Sequence, residues 1–171
     1  MKTVKIILGV IIALSVVFFA TGLIIQELNY TSKVTIDKPV EEVFSLFNND
    51  ENLPKWIPEI KSVKSIQKQE GVVGSTYAVA VESQGQEIIL EEKIMAYEPN
   101  KNIKLFFKGG GMLKTDDYHF ESENQKTTIT LITQCKSSSF ILGCMLPYVK
   151  GKLAAQDQQY LTNFKQFAEK N

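Results

Sequence analysis

The only histidine in the chain, His119, stands between Asp117 and Glu121 at two-residue spacing, which could offer two oxygens and a nitrogen to a metal ion. On a strand those three side chains share one face, and Tyr118 and Phe120 take the other, core-seeking face. The polar trio is therefore expected to meet water, and no metal site is assigned. Glu92 offers different chemistry, because it runs in phase with Ile88, Leu90 and Ile94. If that phase points inward, Glu92 is a carboxylate in an apolar cavity, with a raised pKa suited to a ligand contact or to general acid work. An edge position beside Lys93, or a bulge that swaps the phase, would turn it to solvent instead.

Nucleophilic chemistry has little support. Cys135 continues the Ile129, Leu131, Thr133 phase, yet no histidine is placed to activate it, and a buried thiol behaves as a small hydrophobe. Cys135 and Cys144 are too few and too far apart for a zinc site or a CxxC pair, and they could join only if their Cα atoms came within about 7 Å. The stretch from Gly109 to Thr115 has the glycines and lysine of a phosphate loop but lacks the glycine before the lysine and sits between strands, so it reads as a flexible hairpin. No catalytic residue and no cofactor are assigned.

The elements that must position these residues begin with a run from Ile6 to Ile25 that carries no charge. As a helix it is about 30 Å long, the thickness of a bilayer's hydrocarbon core. A cleaved signal peptide is the rival reading, but the apolar stretch exceeds the usual length and the small pair Ala20 and Gly22 is followed by more apolar residues. Residues 1–29 are therefore expected to be a retained transmembrane anchor. Lys2 and Lys5 favour a cytoplasmic N-terminus and an extracytoplasmic domain, although Lys33 and Lys38 blur the count.

Residues 30–171 suffice for one domain. Of the 19 basic and 19 acidic residues, Lys2, Lys5 and Glu27 fall before it, so its charge is about −1 and nucleic acid is not an expected partner. Every basic residue is lysine, which removes the planar fork of arginine from any anion site. Tyr30 to Ile36 alternates as a short strand. Pro39 opens a short amphipathic helix with Val40, Val43, Phe44 and Phe47 on one side and Asp37 upstream as a candidate cap. A turn-rich stretch around Trp56 follows, then six strands between Ile60 and Ser137, punctuated by glycine, proline and asparagine. Last comes a long helix bearing Val149, Leu153, Tyr160, Leu161, Phe164, Phe167 and Ala168, with Pro147 and Gly151 marking an irregular start. The apolar run Phe140 to Leu146 before it could be a lid, an extension of the helix or a surface resting on the bilayer.

This order of elements resembles the START-like (SRPBCC) superfamily, and within it the polyketide cyclase/dehydrase and lipid transport group. The resemblance rests on Val34-Thr35-Ile36-Asp37-Lys38-Pro39 before Glu42-Val43-Phe44, on Leu53-Pro54-Lys55-Trp56-Ile57-Pro58, and on Gly74-Ser75 and Tyr97-Glu98-Pro99. It continues through Tyr118-His119-Phe120, Thr127-Thr128-Ile129-Thr130 and the closing Tyr160 to Lys165. Small bacterial members with one leading membrane helix look like the chain from Met1 onward. The resemblance implies an α+β helix-grip fold: a curved antiparallel sheet of about seven strands around a long C-terminal helix, with a cavity between them that in many members holds a hydrophobic molecule.

The residues expected to line that cavity are Tyr77, Val79, Val81, Leu90, Glu92, Leu105, Phe107, Tyr118, Phe120 and Leu131 on the sheet, with Tyr160 and Phe164 on the helix. The leading expectation is a membrane-anchored, non-enzymatic domain that binds a lipid or other hydrophobic small molecule. The alternatives are a cyclase- or dehydratase-like enzyme working through Glu92 or Tyr118, and a ligand-free interaction module of a membrane complex.

Overall fold

The computed structural model describes residues 2–83 and 85–171. A first helix, α1 (Lys2–Ile24), runs straight into strand β1 (Glu27–Ile36). Beyond Lys5 it is apolar on every side and almost wholly unburied, and it is long and apolar enough to cross a membrane. Strand β1 starts a little before Tyr30, because Leu28 already packs inward against Cys135 and Leu146.

Helix α2 (Val40–Phe47) buries Val40, Val43, Phe44 and Phe47, the apolar stripe read from the sequence. Its cap differs from expectation. Pro39 occupies the N-cap position and no side chain caps the helix, while Asp37 pairs with Lys126 across 2.6 Å. A 3-10 turn (Asp50–Asn52) and the single-turn helix α3 (Leu53–Trp56) then carry Trp56 into the core.

Six further strands follow: β2 (Ile60–Gln67), β3 (Thr76–Ser83), β4 (Gln86–Glu98), β5 (Asn102–Gly109), β6 (Met112–Glu123) and β7 (Lys126–Ser137). With β1 they form one seven-stranded antiparallel sheet in the order β1-β7-β6-β5-β4-β3-β2. Helix α4 (Phe140–Ala168) closes the fold, starting seven residues before Pro147, so the run from Phe140 to Leu146 is an extension of the helix. The chain thus has the helix-grip architecture.

α4 lies to one side of the sheet, packing on β1 and β7 and on α2 and α3. Its side chains also tie the edge strand: Gln158 exchanges two hydrogen bonds with the Lys33 backbone, and Lys165 Nζ donates to the Thr35 carbonyl at 2.7 Å. These bonds occupy backbone groups that an edge strand otherwise leaves open to pairing with another chain. The main core joins Phe44, Phe47, Trp56, Tyr118, Phe120, Ile129, Leu131, Leu161 and Phe164. Phe47 is its hub, with the rings of Trp56, Tyr118, Phe120 and Phe164 all 4.8 to 5.4 Å away.

Candidate functional site

Strand register decides which side chains share the concave face. Tyr77 stands opposite Glu92, and Glu92 opposite Phe107; Phe107 then faces Lys114, and Lys114 faces Cys135. A second row runs from Ile94 through Leu105 and Asp116 to Thr133, with Tyr30 beyond it. Directly opposed residues lie close enough to touch across the sheet. The β4–β5 ladder does shift register, between Ile94 and Ala96, but it shifts after Glu92. Glu92 therefore keeps the inward phase of Leu90 and Ile94, and the shift instead brings Tyr97 inward beside Phe44.

The twelve residues expected to line a cavity fall into two groups. Val79, Tyr118, Phe120, Leu131 and Phe164 are buried, the last four as part of the main core. Tyr77, Val81, Leu90, Glu92, Leu105, Phe107 and Tyr160 are only partly buried, although the six on strands face inward. The six on strands, with Ile88, form a partly uncovered inward face on β3, β4 and β5, away from β1 and β7 where α4 packs most. Asp117, His119 and Glu121 take the outer face. There His119 Nε2 lies 3.2 Å from Asp117, which also accepts from Asn102 and Lys104.

Beside this face, in register with Leu105 and Phe107, sits an ionic cluster that composition and periodicity did not single out. Lys114 Nζ lies 2.9 Å from Asp116 Oδ2 and 2.8 Å from Asp157 Oδ1. The Thr133 hydroxyl donates to Asp116 Oδ1 at 2.8 Å, and the Tyr30 hydroxyl donates to Asp157 Oδ2 at 2.8 Å. Each carboxylate oxygen thus has a donor, as a buried network needs. The signal for it was parity. Lys114 and Asp116 share the inward phase of Tyr118 and Phe120, and Asp157 lies midway between Leu153 and Leu161 on the buried stripe of α4.

The electrostatics separate these groups. Burial disfavours the Lys114 ammonium, but Asp116 and Asp157 outweigh it and hold the lysine firmly charged. It is a fixed cation and a poor nucleophile. Burial raises the proton affinity of Asp116, opposed by Lys114 and reinforced by Asp157. Burial first and the nearby carboxylates second keep the Tyr30 and Tyr118 hydroxyls protonated. Glu92 is the exception: burial, helped by Asp50 and Asp116, pushes its pKa up to about 7. Among the described residues no side chain pairs with it, so it can change charge near neutral pH. Cys135 and Cys144 are both buried and unpaired, and burial pushes the Cys135 thiol up and away from reactivity.

A family model described as polyketide cyclase / dehydrase and lipid transport matches residues 27–156, most of the chain. The chain belongs to that family. Solved structures show the same fold. One is a START superfamily protein from Mycobacterium smegmatis, 17% identical, with a TM-score of 0.70 over 83% of this chain and 97% of that one. Another is Ara h 8.0201, 16% identical, with a TM-score of 0.69 over 85% and 99%. A third is the Zhui aromatase/cyclase from Streptomyces sp. R1128, 12% identical, with a TM-score of 0.67 over 84% and 94%. At such identities they speak to fold alone. No match is found among curated proteins. Family membership accounts for the helix-grip fold and supports a hydrophobic ligand-binding domain.

Proposed function

We propose that the chain is a membrane-anchored START-like domain that holds a lipid or other apolar small molecule in the groove between strands β3–β6 and α4. One observation carries the reading: Tyr77, Val81, Ile88, Leu90 and Phe107 share the inward phase of the sheet yet remain partly exposed, away from β1 and β7 where α4 packs most. Large inward apolar side chains left partly uncovered are what a ligand's hydrocarbon would bury, at about 25 cal/mol per Å². Glu92 and the Lys114 cluster give the groove a polar depth, which suits an amphiphile with one polar end. Helix α1 serves as the anchor, with Lys2 and Lys5 on the cytoplasmic side and the domain outside.

The test is a native mass spectrum of gently purified residues 27–171, followed by extraction and identification of any adduct. A stoichiometric apolar adduct is expected. A clean mass that stays unchanged after incubation with membrane extract would reject the carrier reading and favour a ligand-free interaction module. A second reading, general acid chemistry on a hydrophobic substrate, is favoured by the titration of Glu92 near neutral pH. It requires that Glu92→Gln abolish turnover of the identified ligand while leaving its binding intact.

A further inference from the structure

The end of α1 and the start of α4 are built to fit each other. Phe140, Cys144 and Tyr148 form one stripe on α4, and all three meet α1 between Phe18 and Gly22. Phe19 stacks on Phe140 with ring centroids 6.0 Å apart, and Phe18 on Tyr148 at 6.1 Å. The Thr21 and Tyr148 hydroxyls lie 3.0 Å apart. Gly22 is needed at the crossing, since a Cβ there would collide with Cys144 Sγ. Cys144 is fully buried by this contact. A leader destined for removal has no use for such a fit, so the packing argues that α1 stays with the domain.

Depth follows from helix geometry. If α1 spans the bilayer, Gly22 to Phe18 lies about 3 to 9 Å inside the end of the apolar helix, at about 1.5 Å per residue. That is the depth at which the apolar face of an interfacial helix rests. The first two turns of α4 therefore cross α1 within the leaflet and not above it. Their outer surface suits that solvent: Ile141, Leu142 and Met145 are 40 to 62% exposed. Lys150 and Lys152, exposed just beyond the run, can reach the headgroups.

The partly exposed inward residues of the sheet lie at the same end. In this meander the β3–β4 and β5–β6 turns and the β7–α4 joint share one end of the sheet, while Phe47, Trp56 and Phe120 fill the other. The hairpin at Gly110 and Gly111 is bound to the joint, because the Gly111 carbonyl accepts from Ser137 and Ser138. Leu142 sits 2.7 Å from where a Gly111 Cβ would be. The partly exposed Val81, Ile88, Leu90 and Phe107 lie toward this end.

We infer that α4 begins inside the outer leaflet of the bilayer beside α1, so that the mouth of the groove meets the leaflet and the ligand passes into it from the hydrocarbon without crossing water. This rests on the ligand-binding and anchoring readings above.

The experiment uses the full chain in phosphatidylcholine vesicles with and without brominated acyl chains. In Ile141→Trp, the added indole should be quenched about twofold by brominated lipid, while Trp56 in the wild-type chain, packed at the far end of the domain, should not respond. Equal quenching in the two proteins, with the chain still on the vesicles after an alkaline wash, would overturn the immersion of α4. Release by that wash would overturn the anchor and this inference with it, and binding of cis-parinaric acid by the released chain would leave the groove reading standing. In a second arm, Ile141→Glu with Leu142→Glu should slow uptake of cis-parinaric acid from vesicles about tenfold while leaving its uptake from dilute solution unchanged. Equal uptake rates from vesicles would overturn the leaflet route.

Discussion

Glu92 is the residue whose charge state the fold controls most usefully. Its ordinary pKa of 4.5 is lifted to about 7, so between those values the folded chain holds a proton that the unfolded chain has lost. The contribution is fully present at low pH and disappears as pH rises through 7, with a span of about 3 kcal/mol at about 1.4 kcal/mol per tenfold change in proton affinity. Glu92→Gln, permanently neutral, should therefore gain stability over wild type from pH 5 to pH 8 by roughly that amount in urea titrations. A pH-independent difference between the two would place Glu92 in solvent. Its inward phase was legible from Ile88, Leu90 and Ile94, but the position of the β4 bulge was not, and that position decides the face.

At the scale of elements, the contact between α1 and α4 turns on Gly22. Gly22→Val should push the helices apart and open Cys144 to thiol reagents in the full chain, raising its labelling rate about tenfold or more, with Cys135 still protected among Leu28 and Leu146. If Cys144 stayed as protected as in wild type, the two helices would not pack as described. The sequence marked Gly22 only as a small residue in an apolar run. Its role depends on a helix more than a hundred residues later, which no local pattern reports. The α2 stripe, by contrast, was fully legible, because 3.6-residue periodicity is a local property.

For the molecule as a whole, the Lys114 cluster locks the grip, joining β1, β6, β7 and α4 through Tyr30, Asp116, Thr133 and Asp157. Removing the cation leaves two carboxylates facing each other out of water. Lys114→Met should cost about 3 to 5 kcal/mol near neutral pH, measured by denaturant unfolding. The loss should shrink as pH falls, because protonating one carboxyl relieves the repulsion and Asp116 already has a raised proton affinity. A cost that did not change with pH would mean that only packing of the lysine stem was lost.

The sequence by itself determined the apolar span of α1, the α2 stripe, the six strands after Ile60 and the long final helix, since each is written in residue spacing over a few turns or pleats. It also carried the family, through the order of those elements. Only the tertiary structure decided which inward residues become core and which stay open, because that depends on where α4 rests over the sheet. It alone placed Lys114, Asp116 and Asp157 together and brought Gly22 onto Cys144. Long-range packing sets those distances, and charges or glycines that look ordinary along the chain acquire their roles from neighbours that are remote in sequence.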